Sequence, residues 1–525
     1  MSALFGFPGG IEPPEQKKQS SETPIEILPL PPLLVLPLKQ HIGAHAIPVV
    51  QEGDQVHRGQ LIARADGELS APLHSPADGV VSFIGFHPVT HDSGMRDNCI
   101  AIATEEQTRE ILEVAETDAS ELTDEDIRER IAAAGIVGQG GAGFPTVAKL
   151  TDQTVHHLII NGAECEPYIT CDDRLMRDRT TRIVEGIRIL ERLLRPEAIL
   201  FAIEDNKPDA IKAVSDALFE TNIEVVVIPT RYPSGAQKQL IQNLLDVEIP
   251  AGKHSIDEGI VMYNVGTCYA IAHALSHSVP LLTRVVTVTG DAVTRPGNYV
   301  IAIGTPIDYV LECAGVNPNK LARVILGGPL MGVTVNDLSA PITKISNCLI
   351  AAAHGELDED LRARECIRCG DCVDVCPASL LPHQLYWFIR SQQHDKAAAL
   401  HLSACIECGA CAYVCPSHIP LVHYYRHGKS VWRTQQNEQR LANEAKERFD
   451  WRQLRHQRET GEKDVKRVIA TPTTETAAVI DNSSSNEIAS DDKASHIAAA
   501  VARAKAKREA IQRNALNQGD SDAQK

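Results

Sequence analysis

The sequence predicts a multidomain α/β protein, and three observations carry that reading. The chain runs to 525 residues, too long for one ordinary domain and suited to three or four. Between about residue 122 and residue 280, short aliphatic runs alternate with amphipathic stretches, the pattern of strand, helix and strand again. Further on, two cysteine runs of identical spacing mark a separate module, Cys366 to Cys376 and Cys405 to Cys415.

Residues 1–40 are proline-rich and read as an extended segment. Residues 41–104 read as a small all-β unit. Strand candidates such as Val49-Val50, Gln60-Leu61-Ile62 and Val80 to Ile84 are punctuated there by Gly53-Asp54 and Asp78-Gly79. Thr123-Asp124-Glu125-Asp126 has the form of a capping box for a helix through Ala134. A glycine-rich loop follows, with Pro145 where the next helix would begin. His157 to Ile160, Ile199 to Ile203 and Ile223 to Ile228 read as buried strands, and Arg174 to Leu194 as one long helix. Such alternation over 122–280 predicts a mostly parallel sheet covered by helices. A second β-rich domain is expected over 284–345, with turns at Thr289-Gly290-Asp291 and Arg295-Pro296-Gly297-Asn298. The cysteine module spans roughly 355–428. The tail, 430–525, reads as charged helix to about Lys463, disordered over 470–493 and helical again from Ile497 to Leu516.

Composition narrows the function. The formal net charge of −18 argues against nucleic acid, whose binders present basic faces, and against non-specific adhesion to anionic lipid. Residues Met1 to Gly10 lack a basic segment followed by an apolar one, so no signal peptide is read. The apolar stretch Ile25 to Leu38 is too short and too interrupted by proline to span a membrane. Fourteen cysteines in such a chain are metal ligands or buried thiols rather than disulfides.

The cysteine runs carry the strongest chemistry. Cys366-x2-Cys369-x2-Cys372-x3-Cys376-Pro377 is repeated as Cys405-x2-Cys408-x2-Cys411-x3-Cys415-Pro416. A [4Fe–4S] cube needs a thiolate on each iron. Three close cysteines wrap one side, and in two-cluster ferredoxins the fourth comes from the other run. Cys366, Cys369, Cys372 and Cys415 are therefore assigned to one cluster, and Cys405, Cys408, Cys411 and Cys376 to the other. A pair of zinc sites is the competing reading, but zinc usually takes two CxxC pairs rather than triplets closed by Cys-Pro. Leu380, Leu381, Leu385, Phe388 and Ile389 recur at helical spacing between the runs, which predicts a helical ferredoxin module. Cys99, Cys165, Cys171, Cys268, Cys313 and Cys348 show no ligand spacing and read as buried thiols.

Gly138-Gln139-Gly140-Gly141-Ala142-Gly143-Phe144-Pro145 contains a literal G-x-G-x-x-G. It follows a helix rather than the strand that the dinucleotide fingerprint requires. Even so, glycines let backbone N–H groups approach a phosphate, and a helix opening at Pro145 would add its positive end. The loop, with Thr146 and Lys149, resembles the flavin loop of the NADH-oxidising flavoprotein subunit of respiratory complex I. Asn161-x-x-Glu164-x-Glu166-Pro167, Tyr232-x-x-Gly235 and Asn264-Val265-x-Thr267 resemble its later blocks in order. With Phe7-Pro8-Gly9-Gly10-Ile11-x-Pro13-Pro14, the β-rich N-terminus and the tandem cysteine runs, residues 1–430 resemble the RnfC family, the peripheral subunit of Rnf (also Rsx) membrane oxidoreductase complexes.

That resemblance implies a lipoyl-like β unit, a Rossmann-like flavin and nucleotide core, a β-grasp domain of SLBB type and the ferredoxin module, in that order. No lysine stands at a Gly-Asp-Lys-type tip in 41–104, so the first unit is expected to dock or to support rather than to carry a lipoyl group. It also implies non-covalent FMN, with NADH as substrate. Gly140, Gly141, Gly143 and Lys149 would contact the phosphate or ring edge. Asn161, Glu164, Asn264 and Thr267 would surround the ring and ribityl chain, and Glu166 and Phe144 would face the nicotinamide. After Gly235 the complex I pattern carries acidic residues, whereas this chain has Ala236-Gln237. A flavin accepts two electrons together and releases them singly, as clusters require. The implied protein is thus the electron-input subunit of an ion-translocating complex at the cytoplasmic face of a bacterial inner membrane. It would be peripheral there, held by partner subunits, and coupled to ion translocation or to reduction of a redox sensor. The alternative is a non-enzymatic wiring subunit that holds only the clusters. The basic, alanine-rich stretch Ala498 to Arg513 reads as a solvated helix without the apolar face of an anchor.

Overall fold

The computed structural model describes residues 4–90, 94–105, 122–250, 252–357 and 362–469. The chain divides into two compact units, Met1–Glu438 and Gln439–Lys525. In the second, the described residues belong to the helix Leu421–Ile469, and its side chains as far as 461 are almost all exposed. The disordered and helical stretches expected beyond residue 469 lie outside the described residues.

Thr123 closes the expected capping box: its hydroxyl accepts from Asp126 N–H, the Asp126 carboxylate answers at the Thr123 N–H, and the helix Asp124–Ala133 follows. The strands expected around it form a four-stranded, wholly parallel sheet. Its order is Ile223–Ile228, Ala198–Glu204, His157–Gly162, Ile260–Asn264. The first strand in sequence, His157–Gly162, therefore has neighbours reached by chain running in opposite directions. This is the topological switch point, where open α/β sheets leave a crevice beyond the strand carboxyl ends. Leu158, Ile160, Phe201, Ile203 and Val261 bury one face of the sheet against the helices Thr180–Leu194 and Val265–His277. Ile159, Leu200, Ala202 and Met262 bury the other against Gln237–Leu245.

Two sequence expectations change here. The long helix read over Arg174 to Leu194 is broken at Arg179, whose φ of −135° is not helical, into Cys171–Asp178 and Thr180–Leu194. The helix expected to open at Pro145 is only a 3-10 turn, Thr146–Lys149. The helix that does begin at the cavity described below is Val265–His277, capped by the Asn264 side chain on Gly266 N–H.

The β-rich stretch forms a six-stranded mixed sheet, ordered Glu26–Ile27, Gly297–Ala302, Thr283–Thr289, Cys348–Ala353, Leu321–Leu326, Val333–Thr334. Leu33–Pro37 pairs with Arg96–Thr104, so the small β unit draws a strand from ahead of residue 41. The segment read as merely extended thus joins two sheets. It also ties a third part. Ile11 bridges Tyr232, Gly10 N–H donates to Val375 O at 2.9 Å, and a Cβ on Gly9 would stand 2.6 Å from the Val375 carbonyl carbon. Only glycine permits that approach at a φ of +67°. The cysteine module is helical, as its spacing predicts, with Pro382–Arg390 and His394–Ala399 between the two runs. Among the described residues, no helix is long and apolar enough to cross a membrane.

Candidate flavin cavity and cluster sites

A cavity of about 660 Å³ opens at the switch point, within the range of small-molecule sites. Asn161 and Asn264, paired in register at the ends of adjacent strands, form its floor. Asn161 donates to Gly235 O at 2.9 Å and accepts from Ala163 N–H at 3.0 Å. Asn264 caps its helix while donating to the Asp172 carboxylate at 2.6 Å. Both amides are thereby fixed in orientation, because in each the oxygen has a donor to meet and the nitrogen an acceptor.

The glycine loop forms the roof. Gly140 and Gly141 line the cavity, and at Gly141 a φ of +97° leaves open space where a Cβ would point. The loop is held from behind. Thr267 accepts from Gln139 N–H at 3.0 Å, and the buried Arg284 donates to both the Gln139 side chain and its carbonyl. Lys149 donates to Met262 O at 3.2 Å and lies 6.0 Å from the Phe144 ring centre and 5.4 Å from that of Tyr263. Burial lowers its ammonium pKa, so an anion in the cavity would restore the charge that burial opposes.

Two glutamates line the same cavity but are already engaged. Glu164 accepts from Asp172 N–H at 2.8 Å and Asp173 N–H at 3.3 Å, which caps the helix Cys171–Asp178. Glu166 accepts from Leu330 and Met331 N–H at 2.7 and 2.9 Å, and a Cβ on Gly328 would fall 1.8 Å from its Cγ. Glu166 thus pins the turn 327–332 of the second β domain over the cavity. Burial raises both carboxyls. Lys17 spends all three ammonium protons on the carbonyls of Glu164, Glu166 and Ile169, at 2.7, 2.9 and 2.6 Å.

Of the ten residues that the resemblance assigns, nine line this one cavity: Gly140, Gly141, Phe144, Lys149, Asn161, Glu164, Glu166, Asn264 and Thr267. Gly143 does not. It faces Ile345 and His41, and its carbonyl accepts from Ile42 N–H. The sequence reading does not mark Tyr232, Asp172 or Lys17 as site residues. Lys17 lies about 150 residues before the carbonyls it holds, and no local pattern marks such a partner.

The eight cysteines stand as two sets of four, each around a small cavity. One is lined by Cys366, Cys369, Cys372 and Cys415, the other by Cys376, Cys405, Cys408 and Cys411. Burial, with the neighbouring sulfurs adding to it, pushes the Cys372 thiol up to about 11 and the Cys408 thiol up to about 12. Four such thiols ionise together only around cations, so the donor set suits a metal cluster. The second set is the one beside the flavin cavity: Tyr232, in the cavity wall, donates its hydroxyl to Cys408 O at 2.5 Å.

Comparison with known proteins agrees with this layout. Family models match in chain order: RnfC barrel sandwich hybrid domain over 5–107, Nuo51 FMN-binding domain over 131–273, SLBB domain over 285–334 and 4Fe-4S dicluster domain over 365–419. The RnfC protein of the ion-translocating oxidoreductase complex of Haemophilus influenzae (strain PittEE) is 47% identical over 87% of this chain and 70% of its own length. The chain belongs to the RnfC family of ion-translocating oxidoreductase subunits.

Further RnfC relatives include those of Pectobacterium carotovorum (strain PC1), 47% identical over 88% of this chain, and Klebsiella pneumoniae (strain 342), 48% identical over 87%. The chain spans 62% and 61% of their respective lengths, and 56% of a second Haemophilus influenzae relative. Among solved structures, a chain of an NAD+-reducing [NiFe]-hydrogenase in the air-oxidised state aligns at 18% identity and a TM-score of 0.41, over 54% of this chain and 55% of that one. As a member of the RnfC family with FMN-binding and dicluster domains, the protein takes FMN and [4Fe–4S] clusters as cofactors.

Proposed function

We propose that this RnfC-family protein is the peripheral electron-input subunit of a membrane-bound Rnf/Rsx-type complex. It takes electrons from NADH at the flavin cavity and passes them through two cysteine-held clusters to partner subunits. The observation that carries the reading is the contact between cavity and cluster site, the Tyr232 to Cys408 hydrogen bond. Bound FMN supplies the exchange between paired and single electrons.

This chain's residues do the placing. The Gly140–Gly141 backbone, the Val265 helix end and Lys149 present donors and positive charge to a phosphate. Asn161 and Asn264 offer fixed amides to the flavin's polar edge. Phe144 and the turn pinned by Glu166 flank the space left for the nicotinamide. Cys376, Cys405, Cys408 and Cys411 would hold the nearer cluster, and Cys366, Cys369, Cys372 and Cys415 the farther one, whose Cys369 is exposed and so accessible to a partner. Partners would supply the ion path and the attachment at the cytoplasmic face of the inner membrane.

The test is an anaerobic titration of the FMN- and cluster-loaded protein with NADH, followed by flavin absorbance and the EPR signal of reduced clusters. Flavin bleaching followed by a cluster signal is expected. Clusters that respond to dithionite but never to NADH would leave a wiring subunit fed by another protein. The Ala236-Gln237 segment, which lines the cavity without acidic groups, is what favours that second reading.

A further inference from the structure

A cavity larger than the flavin site lies elsewhere in the fold. It measures about 830 Å³ and sits on the other side of a wall made by Gln139, Asp172 and Arg284. Three parts of the chain meet there: the small β unit at Arg58, the helices around Arg179, and the second β domain at Val300. Five arginines line it, at 58, 177, 179, 182 and 284, against two aspartates, 172 and 178. Both aspartates are already engaged, Asp172 by Asn264 and Asp178 by Arg174. In a chain of net charge −18, so local an excess of cation is a built feature rather than a consequence of composition.

The arginines differ in how they are held. Arg177 pairs with Asp173 and Asp209, and Arg284 is committed to Gln139 and Ser346 O. Arg182 pairs with the half-exposed Glu185 one turn along its own helix. Arg58 is partly buried, with Asp78 as the carboxylate acting on it. Arg179 is directed to the Tyr269 hydroxyl, a neutral partner. Arg179 and Arg182 also stand at the first turn of the helix Thr180–Leu194, which has no acidic residue there and no side-chain cap. Cations at that end oppose the helix dipole unless an anion joins them. Opposite lies the stripe Tyr269, His273 and His277, one face of a helix, with the two histidine ring centres 5.0 Å apart. Burial, then His277, Arg182 and Arg58, push His273 down to about 4, so the ring is neutral and the surrounding field positive. Val279 to Leu282 supply an apolar wall.

We propose that this cavity binds a phosphate-ester anion, with Arg58, Arg179 and Arg182 around the phosphate and Tyr269 with the apolar wall against the organic part. Arginine forks match phosphate oxygens in pairs, and the volume suits a nucleotide-sized molecule. A soluble phosphate ester and a lipid headgroup share this chemistry, and the experiment separates them.

The holoprotein, with FMN and clusters in place and NADH absent, is titrated calorimetrically with inorganic pyrophosphate. It is also sedimented with vesicles of phosphatidylglycerol and phosphatidylcholine, against phosphatidylcholine alone. The comparison is the variant R58Q/R179Q, which touches no flavin-cavity residue; R182Q alone is the second variant should the first lose its flavin absorbance. Pyrophosphate binding weakened about tenfold or more in the variant, the expected loss of charge-assisted bonds, supports a soluble ligand. Binding only to the phosphatidylglycerol vesicles, lost in the variant, supports a headgroup. No binding of either at millimolar phosphate, or binding equal in wild type and variant, overturns the proposal.

Discussion

The Tyr232 hydroxyl donates to the backbone carbonyl of Cys408 at 2.5 Å, and that one bond joins the wall of the flavin cavity to a cysteine of the neighbouring cluster site. Burial beside Glu166 and Cys165 raises the Tyr232 pKa, so the phenol keeps its proton and remains a donor. Tyr232→Phe retains the ring and removes the bond. Flavin content and NADH bleaching should be unchanged, while the reduced-cluster signal appears several-fold more slowly after bleaching. Tyr232→Ala opens a gap in the buried group formed with Ile11 and Ala410. It should cost about 3–5 kcal/mol of stability and reduce cluster content as well. Stopped-flow absorbance with freeze-quench EPR separates the two; equal cluster kinetics in Tyr232→Phe and wild type would remove this bond from the path.

The crossed cysteine sets predict a result that no uncrossed arrangement can produce. Cys376 belongs to the first run in sequence but lines the cavity of Cys405, Cys408 and Cys411. The double variant Cys376→Ala/Cys405→Ala should therefore lose one cluster and keep roughly half of the iron. If each run held its own cluster, the same pair would destroy both. Iron analysis and EPR of dithionite-reduced protein read the difference directly.

Glu166 is expected from the sequence to face the nicotinamide, and the structure shows it holding Leu330 and Met331 N–H. Its removal should therefore act through the turn it pins. Each charge-assisted bond is worth about 1.5–3 kcal/mol. Glu166→Ala should lower the Tm, speed amide exchange over 328–332 and raise the KM for NADH more than it lowers kcat. Glu166→Gln keeps an acceptor and should recover most of the exchange protection. A large fall in kcat with exchange unchanged would instead give Glu166 a direct part in the reaction.

How much of this was legible depends on whether the signal was local. The cysteine spacing is a contact map in itself, because four thiolates must surround one cube, and the observed sets follow it. The parallel sheet was readable from aliphatic runs such as Ile223 to Ile228, and the capping box at Thr123 from three adjacent side chains. The Pro145 helix failed because an N1 proline marks a permitted start and says nothing of length; Leu150, with ψ of 77°, ends the turn after four residues. Arg179 broke the long helix although the aliphatic periodicity runs across it, since Thr180 Oγ1 turns back to Met176 O and a new axis starts there. Lys17, Tyr232 and Lys344 act on residues distant in sequence, and only the fold brings those together.

Lys344 gives the pH prediction. Its ammonium is fully buried and donates to Pro72 O and Gly135 O at 2.7 and 2.6 Å, tying the small β unit, the flavin domain and the second β domain together. Burial pushes its pKa from 10.5 down to about 7. Below pH 7 the folded and unfolded chains both carry the proton, and the cost of burying the cation is present in full. Between about 7 and 10.5 the unfolded chain binds the proton more than the folded chain does, so this group makes stability rise with pH. The slope for one proton approaches about 1.4 kcal/mol per pH unit. The two carbonyl bonds favour the charged form and move the window upward without changing its direction. Lys344→Met removes the titration and strands two buried carbonyls, at about 1–3 kcal/mol each. Its Tm should therefore lie below that of the wild type at pH 9. Calorimetry of the holoprotein from pH 6.5 to 9 should show the gap between the two widening with pH; a constant gap would mean that Lys344 keeps its proton throughout and serves only as a donor.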